Sequence, residues 1–137
     1  MDILIRCEVC GKAADIHHIV HKCQGGLDFP LNYKYLCVEH HRGKHGPHRD
    51  NAVDIEYKLE MQYKLQQVLD KAYYSFDELT DILELNKSKA KRILKGLRLY
   101  KEGYDTEDII YKLMGSKKYE EYMMEEYKDF IPVYYSV

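Results

Sequence analysis

The sequence predicts an α+β fold in two unequal parts: an N-terminal third of short strands and tight turns, then a mostly helical C-terminal region. Three observations carry this. All seven histidines and all four cysteines of the 137-residue chain lie between Cys7 and His48. The same stretch is short on helical periodicity and dense in turn signals: Gly11, Gln24-Gly25-Gly26, Pro30-Leu31-Asn32, Gly43 and Gly46-Pro47. From Val53 onward the apolar spacing becomes helical. The length suits one ordinary domain, or a small metal-braced module followed by a small helical one. The boundaries expected are 1–50, a connecting helix over 51–73, and a helical unit over 74–137.

Taken in order, residues 14–20 and 32–36 read as two short strands rich in β-branched and aromatic residues, joined by a loop long for a hairpin. Glu39–Lys44 is a short helix stopped by Gly46-Pro47. Between Val53 and about Ala72, Ile55, Leu59, Leu65, Val68, Leu69 and Ala72 share one face, with Glu60, Lys64, Gln67 and Lys71 opposite. Ser75-Phe76-Asp77-Glu78 is a capping box, in which Ser75 and Glu78 each satisfy a first-turn amide. It opens a helix through about Glu84 that buries Leu79, Ile82 and Leu83. Asn86 caps the next helix, which runs to Gly96 or Leu97. Two short helices about three residues apart have the dimensions of a helix-turn-helix. Asp105 or Thr106 then caps Glu107–Met114, and Ser116 caps Lys117–Asp129.

Composition narrows the class. No run of about 18 apolar residues is present, so no membrane-spanning segment is expected. Residues 1–6 lack a basic stretch before an apolar one, which speaks against a signal peptide and for a reducing cytoplasm. In that compartment a C-x2-C spacing favours metal binding over a disulfide. The net charge of −2 averages over strong blocks. Residues 85–101 carry seven Lys or Arg and no Asp or Glu, whereas 51–84 and 102–137 are both acidic. A localised basic patch bears on a partner more than net charge does.

Cys7-x2-Cys10 and Cys37-x2-His40 supply four ligands from two tight turns, the arrangement a closed tetrahedral zinc needs. A redox pair at 7–10 would want a βαβ context that this stretch lacks. Cys23 has no partner at such spacing and reads as a free loop thiol. Fifty residues with few large apolar side chains cannot stabilise themselves by burial alone, and a structural zinc contributes on the order of 10 kcal/mol of apparent folding energy.

Further histidines then need a role. His41 and His45 are four apart on the short helix, share a face and can bind one metal together. His17 can add a third ligand from the facing strand, with His18 beside it as a candidate general base. Neighbours in a regular strand face opposite ways, so both serve one site only if the strand bends or ends there. His48, just past the Gly46-Pro47 turn, is the alternative to His45. His21 is assigned to the loop surface.

The run Cys7-x2-Cys10, His17-His18-Ile19, Gln24-Gly25-Gly26, Asn32 and Cys37-x2-His40-His41-x3-His45 resembles the HNH endonuclease family with its ββα-metal fold, over roughly residues 5–48. The resemblance implies that His18 activates water. His17 takes the place of the metal ligand before it, often Asp in the family. It makes Asn32 the central residue of the catalytic motif, bonding backbone to hold the hairpin loop in shape. His41 becomes a metal ligand, and His45 the further ligand one turn on that some members have. Cys7, Cys10, Cys37 and His40 match structural zinc pairs that are usually four Cys. The activity implied is phosphodiester hydrolysis with one divalent metal (Mg2+, Mn2+, Ni2+ or Zn2+), leaving 5′-phosphate and 3′-hydroxyl ends.

A nuclease module of near-neutral charge needs phosphate contacts from elsewhere. Lys87, Lys91, Lys95 and Arg98 share one face of the second helix of the helix-turn-helix, with Arg92 at its edge, and are expected to contact DNA. The terminal helices and Tyr134-Tyr135 are assigned to packing against this unit or, as a homodimer, against a second chain. A non-catalytic zinc-containing DNA-binding or regulatory protein on the same fold is the competing class. An RNA-directed nuclease is a third.

Overall fold

The computed structural model describes residues 5–126 and is α+β, as expected. Tyr134-Tyr135 and the end of the last expected helix lie outside the described residues. Strands β1 (Asp15–His18) and β2 (Tyr33–Leu36) pair antiparallel, with Asp15 opposite Leu36 and His18 opposite Tyr33. Their connection contains two 3-10 turns, Lys22–Gln24 and Pro30–Asn32. Asn32 is fully buried and closes this loop: its Oδ1 accepts from the Val20 amide (2.7 Å), and its Nδ2 donates to the Val20 (3.0 Å) and Leu27 (2.8 Å) carbonyls. A buried amide side chain with these partners replaces the strand pairing that the loop lacks.

Helix α1 (Val38–Arg42) is shorter than expected and ends before Lys44. Residues 44–49 turn instead, with the Arg49 and Asp50 amides both donating to the Gly46 carbonyl. A Cβ at Gly46 would sit 2.5 Å from the His41 carbonyl oxygen, so this turn folds tightly back against α1 and only glycine fits.

Helix α2 (Asn51–Val68) is capped by Asp50, whose Oδ1 accepts from the Ala52 and Val53 amides. It buries Ile55, Lys58, Met61, Gln62 and Leu65, while Val68 and Ala72, expected inside, are exposed. Two polar residues interrupt the inward stripe because each has a dedicated partner. Lys58 pairs with Asp54 at 2.8 Å, and Gln62 exchanges two hydrogen bonds with the Tyr119 backbone. Lys34 likewise is buried on β2, with Glu8 and Glu60 at 3.3 and 3.0 Å joining the hairpin to α2.

Three strands follow that the sequence pattern does not announce: β3 (Tyr73–Tyr74), β4 (Leu99–Tyr100) and β5 (Gly103–Asp105). They form an antiparallel sheet of order β3-β5-β4, built of pieces too short to show alternation. Between β3 and β4 lie α3 (Phe76–Leu83), opened by the Ser75–Glu78 capping box, and α4 (Lys87–Leu94), capped by Asn86, both starting as expected. Ile82 is exposed rather than buried, and α4 ends at Leu94 instead of continuing to Gly96. Asp105 caps α5 (Thr106–Leu113). Ser116 is not a helix cap: Gly115 and Ser116 both have left-handed φ, 79° and 59°, and residues 117–120 are non-helical before a helical stretch at 121–126.

One apolar cluster gathers Ile19, Val20 and Phe29 of the N-terminal third with Met61, Leu65, Leu79, Leu94, Ile109 and Met114 of the helices. The loop of the first part and the end of α5 meet closely, since a Cβ on Gly115 would lie 2.6 Å from the Gln24 carbonyl oxygen. A second, small cluster is Cys7, Leu36 and Cys37, flanked by Ala14 and Tyr57.

Candidate metal centres and the basic face

The first site forms where the two knuckles meet. The turn that the Gly11 amide closes onto the Cys7 carbonyl carries Cys7 and Cys10, while Cys37 caps α1 by accepting from the His40 amide, which sets His40 three residues on. Cys10 Sγ lies 3.7 Å from Cys37 Sγ, and His40 Nδ1 lies 3.6 Å from Cys7 Sγ and 3.2 Å from Cys37 Sγ. A tetrahedral ion with Zn–S of about 2.3 Å and Zn–N of about 2.0 Å has ligand edges of roughly 3.5–3.8 Å. The four side chains therefore fit a metal ion such as zinc. The electrostatics differ among the thiols: the Lys12 amide acts to lower Cys10, but burial and the neighbouring Cys37 and Cys7 thiols push it up on balance. Burial pushes the Cys7 thiol up, but amide hydrogen bonds from the Cys37, Cys10 and Val9 region outweigh it and bring the pKa down to about 6. The His40 amide lowers the Cys37 thiol as well. Cys23, with no place in this group, is exposed, as expected for a loop thiol.

The second group uses the other face of the same short helix. His41, next to His40, turns into the interior, and its Nε2 lies 3.1 Å from His17 Nδ1 and 2.9 Å from His48 Nε2. Ring nitrogens at such separations fit a common ion at about 2.1 Å with near-right angles, leaving other coordination positions open. His17, His41 and His48 thus form a second group able to hold a metal ion. His45 does not join it. An i, i+4 pair needs helix through residue 45; α1 stops at Arg42, and the Gly46 turn leaves His45 exposed while returning His48. His17 is driven down to about 3, first by burial and then by His41 and His48, and burial followed by His48 lowers His41 too. Both shifts favour the neutral imidazole, the form that binds metal. His21 is not a bystander on the loop surface: its ring lies 5.5 Å from that of His17 and 5.4 Å from that of His48, with Nε2 3.9 Å from Asp54.

His17 and His18 diverge at the end of β1. His17 is buried among the histidines; His18 stands outside that group, half-exposed, its ring edge-on to Tyr33 and its Nε2 2.6 Å from Asp28 Oδ1. No sequence pattern marks Asp28. It is a lone loop carboxylate whose role emerges only when the loop folds over β1.

Lys87, Lys91, Arg92 and Lys95 are all exposed at α4 or its C-terminal edge. Arg98 follows the helix rather than continuing its face, and its guanidinium stacks 4.6 Å over the Tyr100 ring. No helix among the described residues is long and apolar enough to cross a membrane. Comparison with protein-family models, curated proteins and solved structures found no match to this chain.

Proposed function

We propose that the chain is a metal-dependent endonuclease of the HNH type that hydrolyses DNA phosphodiester bonds. The observation that carries this is the convergence of His17, His41 and His48 beside a strand end that leaves His18 solvent-accessible, with Nε2 engaged by Asp28. An imidazole that donates from Nε2 keeps its lone pair on Nδ1, the state required of a base. In the reaction, His18 Nδ1 takes a proton from water as that oxygen attacks phosphorus, and the bond from phosphorus to the 3′ oxygen breaks in line. A divalent metal held by His17, His41 and His48 would supply Lewis-acid stabilisation of the charge developing on the phosphate oxygens. Asn32 keeps the loop, and hence the ends of β1 and β2, in register. Zinc in the knuckle would serve as a brace. The exposed cations of α4 would hold flanking phosphates.

Supercoiled plasmid incubated with purified protein and Mg2+, Mn2+, Ni2+ or Zn2+ tests this. Conversion to nicked or linear forms by the parent, and a loss on the order of 10²–10⁴-fold in His18→Ala, is the expected result. Equal conversion by both proteins would remove His18 from the chemistry. The second reading, a non-catalytic DNA-binding protein, is favoured by the basic helix-turn-helix braced by a three-stranded sheet, which needs no chemistry to engage DNA. Tight DNA binding without conversion under any metal would select it.

A further inference from the structure

We propose that Asp28 is the positioning residue for His18, and that Lys89, reaching the same carboxylate from α4, makes the basic helix part of that site's support. Its catalytic consequence rests on the nuclease reading above.

Asp28 is held on both sides in sequence. The Leu27 carbonyl accepts from Asn32 Nδ2 at 2.8 Å, and Phe29 is buried in the main core. The backbone that carries the carboxylate is thus held on both sides, while the side chain itself is 34% exposed. Its Oδ1 takes the His18 Nε2–H at 2.6 Å, a length typical of a charge-assisted bond. Its Oδ2 faces two cations, Lys89 Nζ at 3.4 Å and Lys22 Nζ at 3.7 Å. Each oxygen therefore has its own donors. The His18 hydrogen bond first, against an opposing push from burial, and then Lys89 hold the Asp28 carboxyl below the usual carboxylate range. Lys89 is itself fixed at its backbone, where its amide donates to the Asn86 cap at 3.1 Å.

A hydrogen bond to one ring nitrogen sets which nitrogen carries the proton and how the ring is aimed. Outer partners of this kind contribute roughly 10–100-fold where they have been removed from other sites. Asn32, α4 and His18 then form one chain of support: the buried amide places the loop, the loop places Asp28, and Asp28 aims the ring.

The test uses the full chain loaded with metal. Histidine 15N spectra should show His18 as the Nε2–H tautomer in the parent and a mixture of tautomers in Asp28→Ala. Asp28→Asn, which keeps an acceptor oxygen and guards against a folding failure, should retain the parent tautomer. In single-turnover cleavage, Asp28→Ala should fall about 10–100-fold with DNA affinity unchanged, and Asp28→Asn should recover much of that loss. Lys89→Ala should slow cleavage less, and should add nothing in the Asp28→Ala background. An unchanged tautomer and rate in Asp28→Ala would overturn the proposal. A Lys89→Ala effect that persists without Asp28 and shows itself as weaker DNA binding would overturn the link to α4. If the parent does not cleave but its His18 tautomer depends on Asp28, the positioning stands and the nuclease reading falls.

Discussion

The first fifty residues and the helical remainder are stabilised by different means. In the helical part, side chains from α2, α3, α4 and α5 fill one large apolar cluster, and all four helices start on side-chain caps. In the N-terminal part, the only apolar cluster of its own among the described residues is Cys7, Leu36 and Cys37, two of which belong to the group that could hold a metal ion. That cluster is small, and the long loop leans instead on Ile19, Val20 and Phe29, which it lends to the shared core. We propose that a metal at Cys7, Cys10, Cys37 and His40 adds what packing leaves short in the first region.

The largest effect should come from the knuckle. Cys10→Ser, or removal of its metal by strong chelation, forfeits up to about 10 kcal/mol of apparent binding energy. The β1–β2 hairpin signals should collapse toward random-coil shifts in NMR spectra while those of α3 and α5 persist. Retention of the hairpin in Cys10→Ser would mean that packing against α2 is enough, and the contrast between the regions would fail.

The next effect separates the two candidates for the third histidine. His48→Ala should weaken metal binding at the second group by at least about 100-fold, more than loss of an outer partner does, as read by titration calorimetry on zinc-loaded protein. His45→Ala should leave it unchanged. The reverse result would mean that α1 extends to residue 45 when metal is bound.

Joint replacement of Lys87, Lys91, Arg92 and Lys95 by Ala should flatten the slope of log K for DNA against log salt by up to about 3.6, at about 0.9 for each B-DNA phosphate no longer neutralised. An unchanged slope would leave α4 a solvated face and put DNA engagement on the first fifty residues.

The smallest effect is specific to the helical part. The Lys71 ammonium, then the Ser75 amide, hold the Glu78 carboxyl down to about 2 from 4.5. A depressed folded value means stability that is full above pH 4.5 and lost as pH falls through 2. The gap in Tm between parent and Glu78→Gln should therefore be present at pH 7 and close toward pH 2. A gap independent of pH would assign it to the cap geometry alone.

What could be read from the sequence follows the same division. Cys7, Cys10, Cys37 and His40 are legible because each knuckle is a local spacing, and Ser75, Asn86 and Asp105 because a cap is a local motif. His48 is not fixed by spacing, because its place depends on how sharply the chain turns at Gly46. Lys58 and Gln62 hide the inward stripe of α2, since their partners, Asp54 on the helix itself and the distant Tyr119 backbone, are invisible to a periodicity. Strands of two or three residues offer no alternation to read, and Asp28 gains meaning only from a folded loop.

On the proposed reading, one histidine-rich segment would build two metal sites with separate tasks, a brace and a reaction centre. Metal content, fold and plasmid cleavage followed together through graded chelation test it most directly. The expected course is two equivalents at the outset, and loss of one, with cleavage, at mild chelation while circular dichroism is unchanged. Activity should return on adding Mg2+ or Mn2+, and the protein should unfold only when the second equivalent leaves. A single equivalent whose removal abolishes fold and cleavage at the same chelator concentration would contradict a division into two sites.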